Sequence, residues 1–564
     1  MISKTRSSKY HTIACLALSV FLASAINGFT QEKTGDVLLD AMQDELWENK
    51  KNLKIEGFDA PFYLMYGIQD QKVYSVSGIL GALVHYSESP NRFRTNTRIL
   101  VGSYDFNDES LDDNHYSSPT VHEINLPVDD DYYGIRRSFW SSTDEVYRSA
   151  ARHFRKHQQT VKESGKEWSE IPHRTFARSE PVKLMLDFKP YQWDRTRYET
   201  LVRDLSKKFA GASSVENSAV VIQFVEGQHY MVTTEGTIVR IPESSANLTV
   251  FAQGRTEEGE FFGEELRFSG TTPAGFPSDK ELHAIVDELV AKLQKPVTSN
   301  RVDEEYNGPV LVMGGVVAET FTSLLNGRES LNASDNIAKI KGYQYDQSAS
   351  FDNKIGKPVV HESLTIKATP KVSTYNGMDL LGSFLIDDEA MVPANETVLI
   401  ENGVLKTLMD NRSVSSASKN AYALGFNEGP GVLEVVCSQK STDRELKENL
   451  IKAAKAEGHE YAFIVRDKQI NGAAGNDVYK VSVKDGKEEL VTNMQFQRPS
   501  LKQLRKVSAA SSTTTAHNLR TGGRNGGITS FIVPSAILLG EGDLKPFNPP
   551  TLKEERFVSR PAHP

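Results

Sequence analysis

The stretch from Gly382 to Arg412, GSFLIDDEAMVPANETVLIENGVLKTLMDNR, limits the possible folds more than any other part of the sequence. Asn402-Gly403 stands between the apolar runs Thr397-Val398-Leu399-Ile400 and Val404-Leu405. Both residues tolerate positive φ, so the dipeptide in this setting predicts a β-hairpin with a tight turn. Upstream, Pro393 breaks the chain after the acidic triplet Asp387-Asp388-Glu389. Grouped carboxylates suit a hard cation such as calcium, but the spaced ligands of a known calcium loop are missing. A solvated acidic turn is the expectation.

The flanking sequence changes period along its length. From Ala60 to Phe106, β-branched and aromatic residues alternate with polar ones, which predicts a strand meander with a turn at Ser89-Pro90-Asn91. Asp144 to Gly165 shifts to helical spacing, with Val146, Tyr147, Ala150, Ala151 and Phe154 on one face and cations on the other. A helix over Asp194 to Phe209, a hairpin at Thr234-Glu235-Gly236-Thr237 and a capping box at Ser278-Asp279-Lys280-Glu281 follow. These elements make residues 34–296 an N-terminal α/β domain. Pro296 to Pro309 is polar and loop-like, the composition of a domain boundary.

Residues 309–564 read as a strand-rich C-terminal domain. It opens with the strand Pro309 to Met313, a Gly314-Gly315 turn and a short helix from Val316 to Leu325. Thr442-Asp443-Arg444-Glu445 is a further capping box, and Asp485-Gly486 predicts a two-residue hairpin turn. Ser508 to Gly527 is rich in Ser, Thr and Gly and reads as a surface loop. The fold class is α+β, an N-terminal α/β domain followed by the strand-rich one.

At 564 residues the chain needs two large domains or three smaller ones, and 38% hydrophobic with 25% charged residues fits packed cores. A formal charge of −9 gives no basic footprint for nucleic acid. Lys4, Arg6 and Lys9 precede an apolar run over residues 13–25 that ends in Ala23-Ser24-Ala25, so residues 1–25 read as a secretory signal, with a second cleavage point as late as Gln31. The run is short for a stable membrane span. Export to the periplasm or beyond is the expectation. Cleavage removes three cations and takes the charge from −9 to −12. Cys15 leaves with the signal, so Cys437 has no intrachain disulfide partner and reads as a buried thiol on a strand.

Hydrolytic metal chemistry needs imidazole, thiolate or carboxylate ligands that leave one position open, with a carboxylate to accept a proton. His122-Glu123 and His361-Glu362 are adjacent His-Glu pairs, and neither has a second His at zincin spacing. Both sit beside β-rich sequence and read as polar residues on strands. No G-x-S-x-G elbow is present.

The order IDDE, a proline a few residues on, TVLIENGVL and a following Asp resembles the TldD/PmbA family of metallopeptidase-related proteins, and RILVGSYDF extends the resemblance into the N-terminal half. The resemblance implies a two-domain chain that dimerises around a peptide-accessible chamber. In TldD-like members it implies an HExxxH helix after a strand and glycine turn, with a cysteine near the C-terminus as a further ligand. PmbA-like (TldE) partners lack that motif. In register, Ala318 takes the first His position, Glu319 keeps the acidic one and Ser323 takes the second His, while Val533, before Pro534, stands at the cysteine. Alanine and valine cannot bind a metal, and a serine hydroxyl is a poor zinc ligand. The resemblance thus implies a PmbA-like, non-catalytic subunit with no cofactor of its own. Zinc is expected in a TldD-like catalytic partner, with self-dimerisation as the other assembly and a peptide as substrate. Two alternatives stay open: an active metallopeptidase with a metal site elsewhere, and a peptide-binding envelope protein.

Overall fold

The computed structural model describes residues 33–111, 126–255, 260–294, 300–325, 330–333, 351–415, 420–424, 429–470, 472–522 and 527–547. The signal segment, His122-Glu123 and Pro296 lie outside the described residues.

Helix α1 (Val37–Asn52) starts at Asp36, whose carboxylate accepts from the Leu38 and Leu39 amides. Strands β1 (Pro61–Ile79) and β2 (Ala82–Val101) form one long hairpin, followed by α2 (Tyr132–Ser164). Short strands β3 (Thr175–Phe176) and β4 (Lys183–Met185), helix α3 (Arg195–Lys207), strands β5 (Val215–Thr233), β6 (Ile238–Arg255) and β7 (Phe261–Gly270), and helix α4 (Asp279–Gln294) complete the N-terminal region. The sheet runs β2-β1-β5-β6-β4, with β7 also on β6. Side chains alternate along a strand, so each face of the sheet has its own covering. Leu64, Tyr66 and Ile68 of β1 pack in one core with α1 and α2, and Val76 in another with α3 and α4. The opposite face, with Tyr63 and Met65, meets Ile386 and Ala390 of the C-terminal region.

Two N-terminal expectations change. The β1–β2 turn is Leu80-Gly81, at φ 51° and 88°, and Ser89-Pro90-Asn91 lies within β2 opposite Val73, Lys72 and Gln71. Because β2 is the sheet edge, the missing Pro90 amide leaves no ladder bond unmade. Helix α2 begins at Tyr132, capped by Asp131, instead of at Asp144. Its first turns pass through Tyr132-Tyr133-Gly134, residues that locally favour strand or turn.

The C-terminal region starts with β8 (Tyr306–Met313), three residues ahead of Pro309, and α5 (Gly315–Phe321). Then come β9 (Leu364–Ala368), β10 (Thr374–Tyr375), β11 (Met378–Asp379), β12 (Thr397–Glu401), β13 (Val404–Leu405), β14 (Ser413–Val414), β15 (Val432–Cys437) and β16 (Lys440–Ser441). After α6 (Asp443–Ala456) follow β17 (Tyr461–Asp467), β18 (Asn476–Ser482), β19 (Glu488–Val491), β20 (Met494–Phe496) and α7 (Leu501–Leu504). The last strands are β21 (Val507–Ser511), β22 (Thr514–Gly522), β23 (Gly527–Pro534) and β24 (Ala536–Pro546). Most of them form two sheets, β16-β21-β24-β8-β17-β18-β19 with β20 on β24, and β13-β12-β9-β15-β23-β22, while β10 and β11 pair with each other and β14 with β3. Val310, Val312 and Phe463 of the first sheet share one apolar core with Ile366, Leu433 and Phe531 of the second. Helix α6 covers the first sheet's other face through Leu446, Leu450 and Ala454. Among the described residues no helix is long and apolar enough to cross a membrane.

Asn402-Gly403 turns at φ 48° and 77°, as its chemistry requires, and Cys437 is buried on β15. Ser508 to Gly527, expected as a surface loop, instead supplies β21 and β22, because Thr-rich sequence pairs well once β23 offers a ladder. The loop around Asp485-Gly486 is longer than two residues, since β18 ends at Ser482 and β19 starts at Glu488. His361 sits on the turn before β9, its Nδ1 2.8 Å from the Ser363 hydroxyl, and not on a strand.

The acidic triplet is not solvated. Asp387 is buried, and its carboxylate accepts from the amides of Glu389 (3.0 Å), Met391 (2.7 Å) and Leu424 (3.2 Å). Burial and the neighbouring charges of Asp388 and Glu389 push its pKa up, against the pull of those amides. Glu389 accepts from the Arg98 guanidinium and from the Arg412 amide at 2.7 Å. Arg98 also pairs with Glu109 at 2.6 Å, Arg174 with Asp410 at 3.3 Å and Arg412 with Glu235 at 2.7 Å. Burial opposes the charge of Arg98, but Glu109 and Glu389 outweigh it and raise its pKa. Beside this network β14 pairs with β3, Ser413 opposite Phe176. Glu389 thus belongs to a buried charge network that ties the two regions together, and Asp387 is buried beside it.

Candidate functional site

Strands β8 and β17 are parallel neighbours and end side by side, the arrangement that opens a crevice beyond the carboxyl ends of strands. After β8 the chain turns at Gly314, φ 67° and ψ −142°, whose amide donates to the Ser535 carbonyl at 2.9 Å. The Gly315 amide donates to Asp467 Oδ2 at 2.7 Å. A Cβ on Gly314 would lie 2.2 Å from that oxygen, and one on Gly315 would lie 2.9 Å from Asp467 Oδ1 and 3.2 Å from His517 Nδ1. The glycine pair is therefore required by the carboxylate and imidazole packed over it.

Helix α5 packs against β17, β22 and β23 and buries every residue except Glu319. Hydroxyls of the helix and of the 3-10 turn after it (Thr322–Leu324) bond to the helix backbone: Thr320 Oγ1 donates to Val316 O at 2.8 Å, Thr322 Oγ1 to Glu319 O at 2.7 Å and Ser323 Oγ to Thr320 O at 3.1 Å. Glu319 is the exposed side chain of the helix; partial desolvation, then the charge of Asp467, raises its pKa, and Arg498 opposes the rise. His517, on β22, has its Nε2 3.0 Å from Thr515 Oγ1. Burial lowers its pKa, and Asp467 opposes that. The turn therefore gathers Glu319, with raised proton affinity, and the largely neutral His517 around Asp467, polar groups that can bond a ligand.

Of the four positions singled out in the sequence, Ala318 and Val533 come together, both fully buried in the apolar core of the two sheets. Glu319 points away from that core, and Ser323 is half-buried at the end of the helix with its proton already donated. Among the described residues no three His, Cys, Asp or Glu side chains converge in a way that could hold a metal. A zinc site takes three or four such ligands, and Ala318 and Val533 offer none, so these positions do not fit the metal that the resemblance implies for catalytic members. Asp467 and His517 escaped the sequence reading. The signal for Asp467 was its place at the end of a strand running parallel to β8; His517 was hidden in the segment taken for a loop.

Residues 311–540 match the model of the PmbA/TldA metallopeptidase C-terminal domain. The C-terminal region belongs to the PmbA/TldD family. The PmbA/TldD match runs from the middle of β8 into β24 and so takes in both C-terminal sheets and α5. No curated protein matches the chain by sequence. A candidate modulator of a DNA gyrase from Thermotoga maritima shares the fold at 15% identity and TM-score 0.55, over 90% of this chain and 99% of that one. A protein described likewise from Bacteroides thetaiotaomicron does so at 10% identity and TM-score 0.53, over 92% and 100%. TldE from Thermococcus kodakarensis aligns at 13% identity and TM-score 0.48, over 90% and 100%.

Proposed function

We propose that this chain is the non-catalytic subunit of an exported heterodimeric peptidase, completing a peptide chamber whose zinc and HExxxH helix are supplied by a TldD-like partner. The observation that carries this reading is the burial of Ala318 and Val533 in the apolar core, at two of the three ligand positions that the family resemblance assigns. Enclosing a site requires matched interface surface and not ligands on both chains, so one subunit can lose its ligands and keep its surface. The gyrase-modulator description of two fold relatives is not carried over, because a gyrase partner would sit with DNA inside the cell and this chain is proposed to leave it.

The test is co-expression with a relative from the same genome that retains the His-Glu motif. The expected result is a one-to-one complex on size exclusion, with chelator-sensitive peptide cleavage present in the complex and absent from this chain alone. Chelator-sensitive cleavage by the isolated chain would overturn the proposal, as would failure to associate with any such relative.

A further inference from the structure

A cavity of about 620 Å³ opens between the C-terminal-facing side of the N-terminal sheet and the segment Leu380 to Ile386, away from the α5 turn. Glu243 of β6 stands on its wall and hydrogen-bonds Gln69 of β1. The Gln69 carbonyl oxygen in turn lies 3.0 Å from Nδ1 of His229 on β5. Burial holds the His229 pKa down at about 4, so the ring is neutral at pH 7. With Nδ1–H donating to the Gln69 oxygen, the Gln69 amide is left to donate to Glu243. The row therefore delivers a donor to a carboxylate.

The ladder position between Gln71 and Glu243 is Gly227, where a Cβ would lie 2.1 Å from the Asp70 carbonyl oxygen. No side chain fills that place. Burial pushes the Glu243 pKa up to about 7, with the Gln69 bond pulling it back, and no cation contributes. Glu243 is half-buried on the cavity wall, where a partly desolvated carboxylate without a cation is costly, and a ligand ammonium would relieve that cost. At the rim, Arg520 is exposed and makes no ion pair among the described residues. Phe384 and Leu385 line the same cavity, and Leu385 is 47% exposed, an apolar side chain left facing open space.

We propose that this cavity binds a zwitterionic ligand, with an ammonium group on Glu243, a carboxylate on Arg520 and an apolar chain lying against Phe384 and Leu385. Such chemistry comes from a free amino acid or from a short peptide with both ends free. The site is separate from the degenerate helix, so it stands whether or not the chain pairs with a catalytic subunit.

Calorimetric titration of the purified protein with 4-aminobutanoate, 6-aminohexanoate and 8-aminooctanoate tests it, with hexylamine and hexanoate as single-charge controls and trialanine as the peptide arm. At pH 8 at least one zwitterion is expected to bind about tenfold or more tighter than either control, the loss of a charge-assisted contact being worth at least that factor. Glu243→Gln and Arg520→Gln should each weaken binding by about the same factor. Glu243 faces Gln69 and Gln71 on β1, Gly227 and the neutral His229 on β5, and uncharged residues of the segment Leu380 to Ile386, and Arg520 is the other charged residue of the cavity lining. The ω-ammonium of the probes ionises near 10 and stays charged, so binding should weaken from pH 8 to pH 6 as Glu243 takes up a proton. That pH dependence should vanish in Glu243→Gln. Tighter binding of trialanine than of the ω-amino acids identifies the peptide source, and the reverse identifies the free amino acid. If no zwitterion saturates the wild-type protein, or if folded Glu243→Gln binds as well as wild type, the proposal is wrong.

Discussion

Replacing Arg412 with methionine is expected to destabilise the protein by about 3–5 kcal/mol, the range for removing one member of a buried ion pair. Arg412 is 0% exposed, and Nη2 reaches both Glu235 oxygens at 2.8 and 2.7 Å. Nε and Nη2 donate to the Ala177 carbonyl at 3.0 and 2.7 Å, and Nη1 to Tyr63 Oη at 3.1 Å and the Glu389 carbonyl at 3.2 Å. Its guanidinium also lies 4.2 Å from the Phe176 ring centroid. Methionine would fill much of the volume and leave the largely desolvated Glu235, its side chain 10% exposed, without its cation. The double variant Arg412→Met/Glu235→Gln should recover a large part of the loss, because the uncompensated charge is then gone. Denaturant unfolding of wild type, both single variants and the double variant measures this directly. A single-variant loss below about 1 kcal/mol, the level of an exposed pair, would show that the network does not hold the two regions together.

Ala318→His should destabilise the fold by about 2–6 kcal/mol, combining overpacking of a filled core with burial of an unpaired polar ring. Ala318 shares its cluster with Phe321, Phe531 and Val533, all fully buried, so an imidazole there has no solvent to turn toward. The same variant is expected to gain no zinc, since Val533 offers no ligand and the Ser323 hydroxyl proton is donated to Thr320 O. Thermal unfolding and metal content together check this. A variant as stable as wild type that takes up zinc would place residue 318 on a cavity wall and not in the core.

The elements legible in the sequence were those fixed by local chemistry. Asn402-Gly403 turned as predicted because both residues accept positive φ. Thr442 and Glu445 form the reciprocal cap expected of that spacing, and the Thr234-to-Thr237 turn joins β5 to β6. What the sequence misread was decided by distant partners. Pro90 reads as a turn residue until β2 is known to be an edge, and Leu80 carries no sign of the positive φ it adopts. Thr514 to Gly522 looks like a loop until β23 lies beside it. The triplet at Asp387 looks solvated because its partner Arg98 is 291 residues away from Glu389 along the chain. The site followed the same division. Ala318, Glu319, Ser323 and Val533 came from the resemblance, whereas Asp467 and His517 reach the glycine turn only through sheet pairing.

The non-catalytic role proposed for this chain requires that its own helix α5 hold no catalytic metal. Elemental analysis of the chain, expressed alone and purified without added zinc or chelator, tests it most directly. The expected content is far below one transition metal per chain; about one zinc per chain, as a single complete ligand set would require, would contradict the account.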